Sequence, residues 1–285
     1  TCLLHTIVTN TIAAFRPHVL VVDTFPAGSA KELLPVLRWE GRRVFIYREQ
    51  KSALCHDSSF QDLLALYDLI LVPHAKDEVE MPVPQHIPVE WVGTMLLRSQ
   101  TEVLDPAQAR LRLQLPPEGQ LLYIGFGGGG DPEYEKLLAW VLAQVEYLPQ
   151  WQFVCARPPL GRISETASAL FQAPNVRQIS YYPLAECWRA FDAAIAAAGY
   201  NTVAELLHNG IPAIWTPLSR QVDDQVRRAQ RIVHNQAGWL VNPYDTETLR
   251  ATLSQLNDAT VRSHYAVRSK QLVSYNGAEY AADYL

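Results

Sequence analysis

The 285-residue chain predicts an α/β protein of two domains, each built on a parallel sheet. Three observations carry that expectation. Short apolar runs such as Val19–Asp23, Leu69–Val72 and 193–197 recur along the chain. The longest are continuous rather than alternating, as strands buried on both faces require. Helical patterns separate the runs at the pitch of strand–helix–strand crossovers. Polar or glycine-rich turns follow the runs, at the edge where open parallel sheets gather their ligands.

Composition narrows the function. Apolar residues make up 48% of the chain and the net charge is −5, which fits a globular protein. Nucleic-acid binders usually present a basic domain, so no nucleic-acid partner is expected. No apolar run approaches the length of a membrane-spanning helix, and no signal peptide is visible. The expected location is cytoplasmic. Cys2, Cys55, Cys155 and Cys187 are scattered without metal-ligand or paired spacing. Free thiols are the expectation, with no metal site.

Residues 1–15 have helical spacing and read as the middle of a domain, so the chain is expected to begin inside a larger native protein. Val19–Asp23 is the first strand, and 24–29 turn at its carboxyl end. A helix is expected over 29–40, a strand over 44–47, a helix over 60–66, and strands over Leu69–Val72 and 89–92. This order places Asp23, Thr24, Arg48, His74 and Gly93 at strand carboxyl ends. Asp23 and His74 are weak catalytic candidates, since a turn cap and a solvated loop residue explain them equally well. A linker is expected near 97–103. Asp105-Pro106 opens a short helix with Pro at the favoured first position.

A strand over 121–126 runs straight into Gly127, Gly128, Gly129 and Gly130, and a helix is expected from 133 to 148. Glycines there let backbone N–H groups approach an anion. The loop is neither a Walker loop nor a dinucleotide fingerprint of ordinary length. A flexible turn is the alternative. After a strand over 152–155, Arg157 faces either a phosphate or solvent. After Val176–Ile179, Tyr181 and Tyr182 either stack on a base or pack in the core. A short helix is expected over 184–191.

Residues 193–225 hold the most chemistry. An apolar strand over 193–197 ends at Ala198-Gly199. A helix over 203–208 follows, capped by Asn201 or Thr202 and closed by Gly210. A second strand spans 211–216, and a polar loop leads to Asp224-Gln225. A glycine turn feeding a helix start offers backbone N–H groups and the positive dipole end to a phosphate. Ala198, Gly199, Tyr200, Asn201 and Thr202 would supply that cradle. Glu205, one turn on, suits both hydroxyls of a ribose, and Asp224 with Gln225 suits the hydroxyls of a sugar. The plainer alternative is a capping box between Thr202 and Glu205, with Asp224-Gln225 an ordinary helix start. Beyond Gln225, Arg227, Arg228 and Arg231 read as a solvated helix face. A strand over 238–241, a helix over Thr246–Leu256 and a helix over 261–285 broken at Asn276-Gly277 complete the chain.

Gly199, Glu205, Pro217 and Asp224-Gln225, in this order and spacing, resemble the donor-binding segment of the MurG-like GT-B glycosyltransferases of family 28. Asp224 departs from the Gln that the family often places there. The resemblance implies a GT-B fold of two Rossmann-like domains with a cleft between them. It implies an incomplete acceptor-side domain over 1–98, a donor-binding domain over 99–262, and a helix over 263–285 crossing back to the first domain. It also implies metal-independent transfer of a hexose, such as N-acetylglucosamine, from a UDP-sugar to a sugar or lipid-linked acceptor, without a cofactor. Peripheral attachment at the inner face of a membrane and self-association follow from the same reading. A nucleotide-sugar hydrolase and a non-catalytic nucleotide-sugar-binding subunit are the rival functions.

Overall fold

A computed structural model describes residues 2–38, 40–127, 133–157 and 170–285, with the backbone alone at Leu170. Gly128 and Gly129 of the expected phosphate loop lie outside the described residues. The chain divides into two compact units. One gathers Thr1–Met95, Gln221–Asp224 and Tyr275–Leu285; the other gathers Leu96–Arg220 and Gln225–Ser274.

In the first unit, α1 (Cys2–Phe15) precedes β1 (Val19–Asp23) and β2 (Arg42–Ile46). The short helices α2 (Ser52–Cys55) and α3 (Ser58–Leu64) lead to β3 (Leu69–Val72) and β4 (Val89–Trp91). The strands pair in parallel in the order β1-β2-β3-β4. Their alternate residues feed two cores. Phe45, Ile70 and Val72 pack with Leu37, Tyr47 and Tyr67 on one face. Val44, Leu69 and Leu71 meet Val92 and Ala281 on the other. The Asp57 side chain caps α3 by accepting from the Phe60 N–H at 3.0 Å. The helix expected over 29–40 does not form; the described residues of the stretch are a series of turns and bends. Gly28 and Lys31 take positive φ values of 82° and 59°, and Pro35 lacks an N–H, so no helical ladder can run through. Helix α1 buries no residue and exposes Leu3, Ile7 and Phe15.

In the second unit, α4 (Pro106–Arg112) is capped by Asp105, with Pro106 at its first turn. Then follow β5 (Gln120–Gly125), α5 (Tyr134–Leu142), β6 (Trp151–Ala156), β7 (Val176–Ile179) and β8 (Ala193–Ala196). Helix α6 (Tyr200–Asn209), β9 (Ala213–Trp215), α7 (Gln225–His234), β10 (Trp239–Leu240), α8 (Thr246–Leu256) and α9 (Ala259–Leu272) complete it. Its parallel sheet has the order β10-β9-β8-β5-β6-β7. Leu121, Tyr123, Ala194, Ala196 and Trp215 face one core; Leu122, Ile124, Ala193, Ile195 and Ile214 face the other. Two expected helices are shorter than their patterns. α5 ends at Leu142 before a 3-10 turn over Val145–Tyr147, and 184–191 is two 3-10 turns, Leu184–Glu186 and Trp188–Ala190. Pro183 opens the first of these turns, and each ends within one turn length, too short for an α ladder to propagate.

The last helix, α10 (Gly277–Ala282), belongs to the first unit. The Gly277 N–H donates to the Thr94 carbonyl at 2.7 Å. A Cβ on Gly277 would lie 2.2 Å from the Gly93 carbonyl oxygen, and one on Gly93 would strike the Tyr275 ring. Backbone meets backbone here, so the clash cannot be relieved by turning a side chain. Gly277→Ala should destabilise the protein by roughly 1–3 kcal/mol, the usual range for overpacking. Thermal unfolding would show a lowered midpoint; an unchanged one would refute this close approach.

Candidate functional site

The order of the larger sheet reverses between β8 and β5: the chain after β5 builds outward through β6 and β7, and the chain after β8 builds through β9 and β10. At such a reversal the flanking connections part and leave a crevice at the strand carboxyl ends. Both glycine turns open there, Gly127 after β5 and Gly199 after β8. The Ala197 N–H donates to the Gly125 carbonyl at 3.1 Å and laces the two strand ends together.

The two glycines are needed for different reasons. Gly127 has φ +104°, a conformation that side chains rarely adopt. Gly199 has φ −68° and ψ 145°, open to any residue, and the nearest described atom to a Cβ built on it is Gln225 Nε2 at 3.8 Å. Neither backbone nor packing among the described residues calls for glycine there. A methyl group there would meet no other described atom within 4 Å.

Gly199 is the N-cap of α6 and has no side chain of its own to cap that end. Asn201 and Thr202, expected as caps, lie instead inside the first turn. The first-turn N–H groups have no acceptor within the helix, and the positive end of its dipole sits at the crevice. The capping box is not formed: Glu205 Oε2 accepts from the indole N–H of Trp188.

Two side chains of α7 close around the turn. Gln225 is buried, and its Oε1 accepts from the Leu218 N–H at 2.9 Å. That bond fixes the amide, so its N–H₂ is the end nearest Gly199. Arg228 is only 2% exposed; its Nη1 donates to the Ala198 carbonyl at 2.8 Å, and its guanidinium carbon lies 5.6 Å from the centre of the Tyr200 ring. The expected solvated arginine face is therefore wrong for Arg228. The signal was present in the spacing: Gln225, Arg228, Ala229 and Ile232 recur as one buried face of a helix. Arg227 is exposed, as expected.

Glu205 is half-buried on α6. Burial pushes its carboxyl above the ordinary range, against the opposing pull of the Trp188 N–H and the Arg98 charge. The Tyr181 hydroxyl donates to Glu186 and accepts from Arg112 Nη1 at 3.3 Å. It borders a groove of about 480 Å³ along β7 that Arg112, Arg177 and Gln178 also line. Arg157 is exposed, its N–H donating to Ile179 at 2.8 Å. Asp224 directly precedes α7, in the segment grouped with the first unit.

The first unit has its own polar cluster at strand carboxyl ends. Arg48 Nε lies 3.1 Å from Asp23 Oδ1 and donates to Thr24 Oγ1 at 2.8 Å; Gln50 donates to the Thr24 carbonyl at 2.7 Å. These bonds hold Thr24 at φ +69°. His74 is buried, not a solvated loop residue, and its Nε2 accepts from the Glu49 N–H at 3.1 Å. That bond places the ring proton on Nδ1, 3.5 Å from Glu78. Among the described residues no group of three or more His, Cys, Asp or Glu is placed to hold a metal, and no helix is long and apolar enough to cross a membrane.

The chain is similar to known proteins. The family described as "Glycosyltransferase family 28 C-terminal domain" matches residues 161–281, a span that contains Gly199, Glu205 and Gln225. The chain is 29% identical over 272 residues to the UDP-N-acetylglucosamine–N-acetylmuramyl-(pentapeptide) pyrophosphoryl-undecaprenol N-acetylglucosamine transferase of Thiobacillus denitrificans, covering 90% of this chain and 69% of that one. It is 29% identical to the protein of the same name from Polaromonas naphthalenivorans over 64% of this chain, and spans 51% of that relative's length. The solved MurG of Acinetobacter baumannii superposes with a TM-score of 0.62 at 16% identity, over 96% of this chain and 74% of that one. The fold is GT-B, and the likeness to family 28 rests on the match over residues 161–281.

Two variants test the site. Gly199→Ala should shift stability by less than about 1 kcal/mol, because the conformation admits alanine at a modest capping loss. It should weaken nucleotide binding by about tenfold or more by filling the cradle. Equal affinity in a titration would show the space to be unused. For Glu205, a carboxyl whose folded pKa is raised favours the folded state at low pH, and stability falls as pH rises from the unfolded value through the folded one. Glu205→Gln should flatten that decline; unfolding midpoints measured across the acid-to-neutral range check it.

Proposed function

We propose that this chain, like the family 28 transferases it resembles, transfers a hexose from a UDP-linked sugar to an acceptor hydroxyl, with N-acetylglucosamine as the first sugar to test. The observation that carries the reading is the α6 N-terminus at the sheet's reversal point, with the Gln225 amide fixed beside Gly199. The first-turn N–H groups receive the diphosphate, whose negative charge grows as the glycosidic bond breaks, and donors aimed at developing charge are the strongest electrostatic aid an enzyme has. Arg228 adds a buried positive charge next to the same turn. These groups supply positive potential without a metal ion, which is the basis for proposing metal-independent transfer. Glu205 takes the ribose hydroxyls, and Gln225 donates to the sugar or to its adjoining phosphate. The acceptor is a sugar or a lipid-linked sugar, and the lipid-linked case places the protein against the inner face of a membrane.

No base is assigned. The Asp23 carboxylate is engaged by Arg48, and the acceptor nitrogen of His74 is engaged by a backbone N–H.

Labelled UDP-N-acetylglucosamine tests the reading. Acceptor-dependent transfer supports it. Release of free sugar without acceptor would make the protein a hydrolase, and binding without turnover would make it a binding subunit. Gln225→Glu keeps an acceptor for Leu218 but places a negative charge toward the diphosphate. It should cut donor affinity by about tenfold or more with the fold intact by circular dichroism; undiminished binding would remove Gln225 from the site.

A further inference from the structure

We propose that Trp188 is the positioning residue of the donor site: its indole N–H holds the Glu205 carboxylate in the orientation that receives a ribose diol. This rests on the donor-site reading above and assigns a role to a residue outside the glycine turns. Trp188 is 4% exposed and sits in the 3-10 turn that leads into β8. Its ring meets Tyr123 edge-on at 5.0 Å and Phe191 at 6.2 Å, so it is wedged between a central strand and its own turn. A ring packed in this way cannot swing its N–H elsewhere.

A buried indole needs an acceptor, and a backbone carbonyl would serve. Here the acceptor is a carboxylate, on a helix whose start faces the crevice. A carboxylate offers about four lone-pair sites. Fixing one at Oε2 sets the plane of the group and leaves the rest for ligand hydroxyls. The partner is also a poor choice for stability alone, since half-burying a charge is unfavourable. A carboxyl held half-buried at such a cost serves a ligand better than it serves the core.

Among the described residues, two charged or titratable groups bear on Glu205. Arg98 favours the ionised Glu205. The Tyr123 hydroxyl is pushed up mainly by burial, with the Glu205 charge contributing. Because the Trp188 N–H lowers the Glu205 pKa, its removal raises that pKa. A ligand that needs the carboxylate should then lose affinity at a higher pH as the solution is acidified.

The experiment compares the full chain with Trp188→Phe, Glu205→Ala and the double variant. UDP and 2′,3′-dideoxy-UDP, which lacks the diol, are titrated against each. Trp188→Phe should weaken UDP by about tenfold or more, the loss of a hydrogen bond to a charged group, and leave the dideoxy ligand unchanged. The double variant should lose no more than Glu205→Ala alone. The acid loss of UDP affinity should begin at higher pH in Trp188→Phe. A second form, with benzothienylalanine at position 188, keeps the shape of tryptophan without its N–H and should behave like the phenylalanine variant. Equal losses for the two ligands would reduce Trp188 to a packing residue and overturn the inference. If Glu205→Ala weakens UDP selectively while both 188 forms bind like the parent, the positioning role alone fails. If Glu205→Ala leaves UDP binding unchanged, the donor-site reading itself fails.

Discussion

The pairing of β5 with β8 is the constraint on which the second unit depends. These two central strands stand side by side in parallel, Leu122 opposite Ala193 and Gly125 opposite Ala196. Asp192, just before β8, accepts from the Leu121 N–H at 2.8 Å and from Arg110 at 2.9 Å, so the register is pinned at the amino end. A parallel ladder pinned at one end delivers its carboxyl ends in fixed register. That is how two glycine turns far apart in sequence come to open on one crevice. A slip of one residue would exchange the two buried faces of β8 and aim the Gly199 turn away. The small side chains of β8, alanine at three of its four positions, let α6 and its neighbours approach the sheet closely.

The proposed site is built from parts arranged before any ligand arrives. Gln225 is tied by Leu218, Arg228 by Ala198 and Glu205 by Trp188. Each bond uses one polar atom of a side chain and leaves others directed by it. Pre-ordering of this kind reduces the side-chain entropy lost on binding. The arrangement works against stability, because a buried guanidinium and a half-buried carboxylate both resist desolvation. Such local conflicts in otherwise well-packed chains concentrate where a protein works.

Much of this was legible in residue order. Leu69–Val72 is a strand over the very residues that its apolar run marks, because a parallel strand buried on both faces has no polar position to blur its limits; Val19–Asp23 and Val176–Ile179 are strands as expected although Asp23, Arg177 and Gln178 are exposed. Asp105-Pro106 and Asn209-Gly210 bound helices as their chemistry demands, Gly210 with φ +66°. The helix expected over 29–40 failed because its apolar period ignored the backbone conformations set by Gly28 and Lys31. The start of α6 was misplaced because Asn201 and Thr202 are good caps in isolation, whereas tertiary packing begins the helix at Tyr200. Arg228 was misread because charge was weighed over periodicity. Trp188 carried no readable signal: its partner Glu205 lies 17 residues away, and only the fold brings them together.

The tail of the chain has a consequence for the order of assembly. Ala281 covers Val44, Leu69 and Leu71 on one face of the first sheet, and Gly277 bonds Thr94 beside it. A ribosome makes those sheet residues early and Ala281 only after the whole second unit. The first sheet therefore emerges with one apolar face bare and must wait for its cover while the second unit is being synthesised. Contacts of such long sequence separation close late and slowly. During that interval the nascent chain presents a sticky surface of the kind chaperones shield, so cellular yield should respond to chaperone supply more than the stability of the finished fold would indicate.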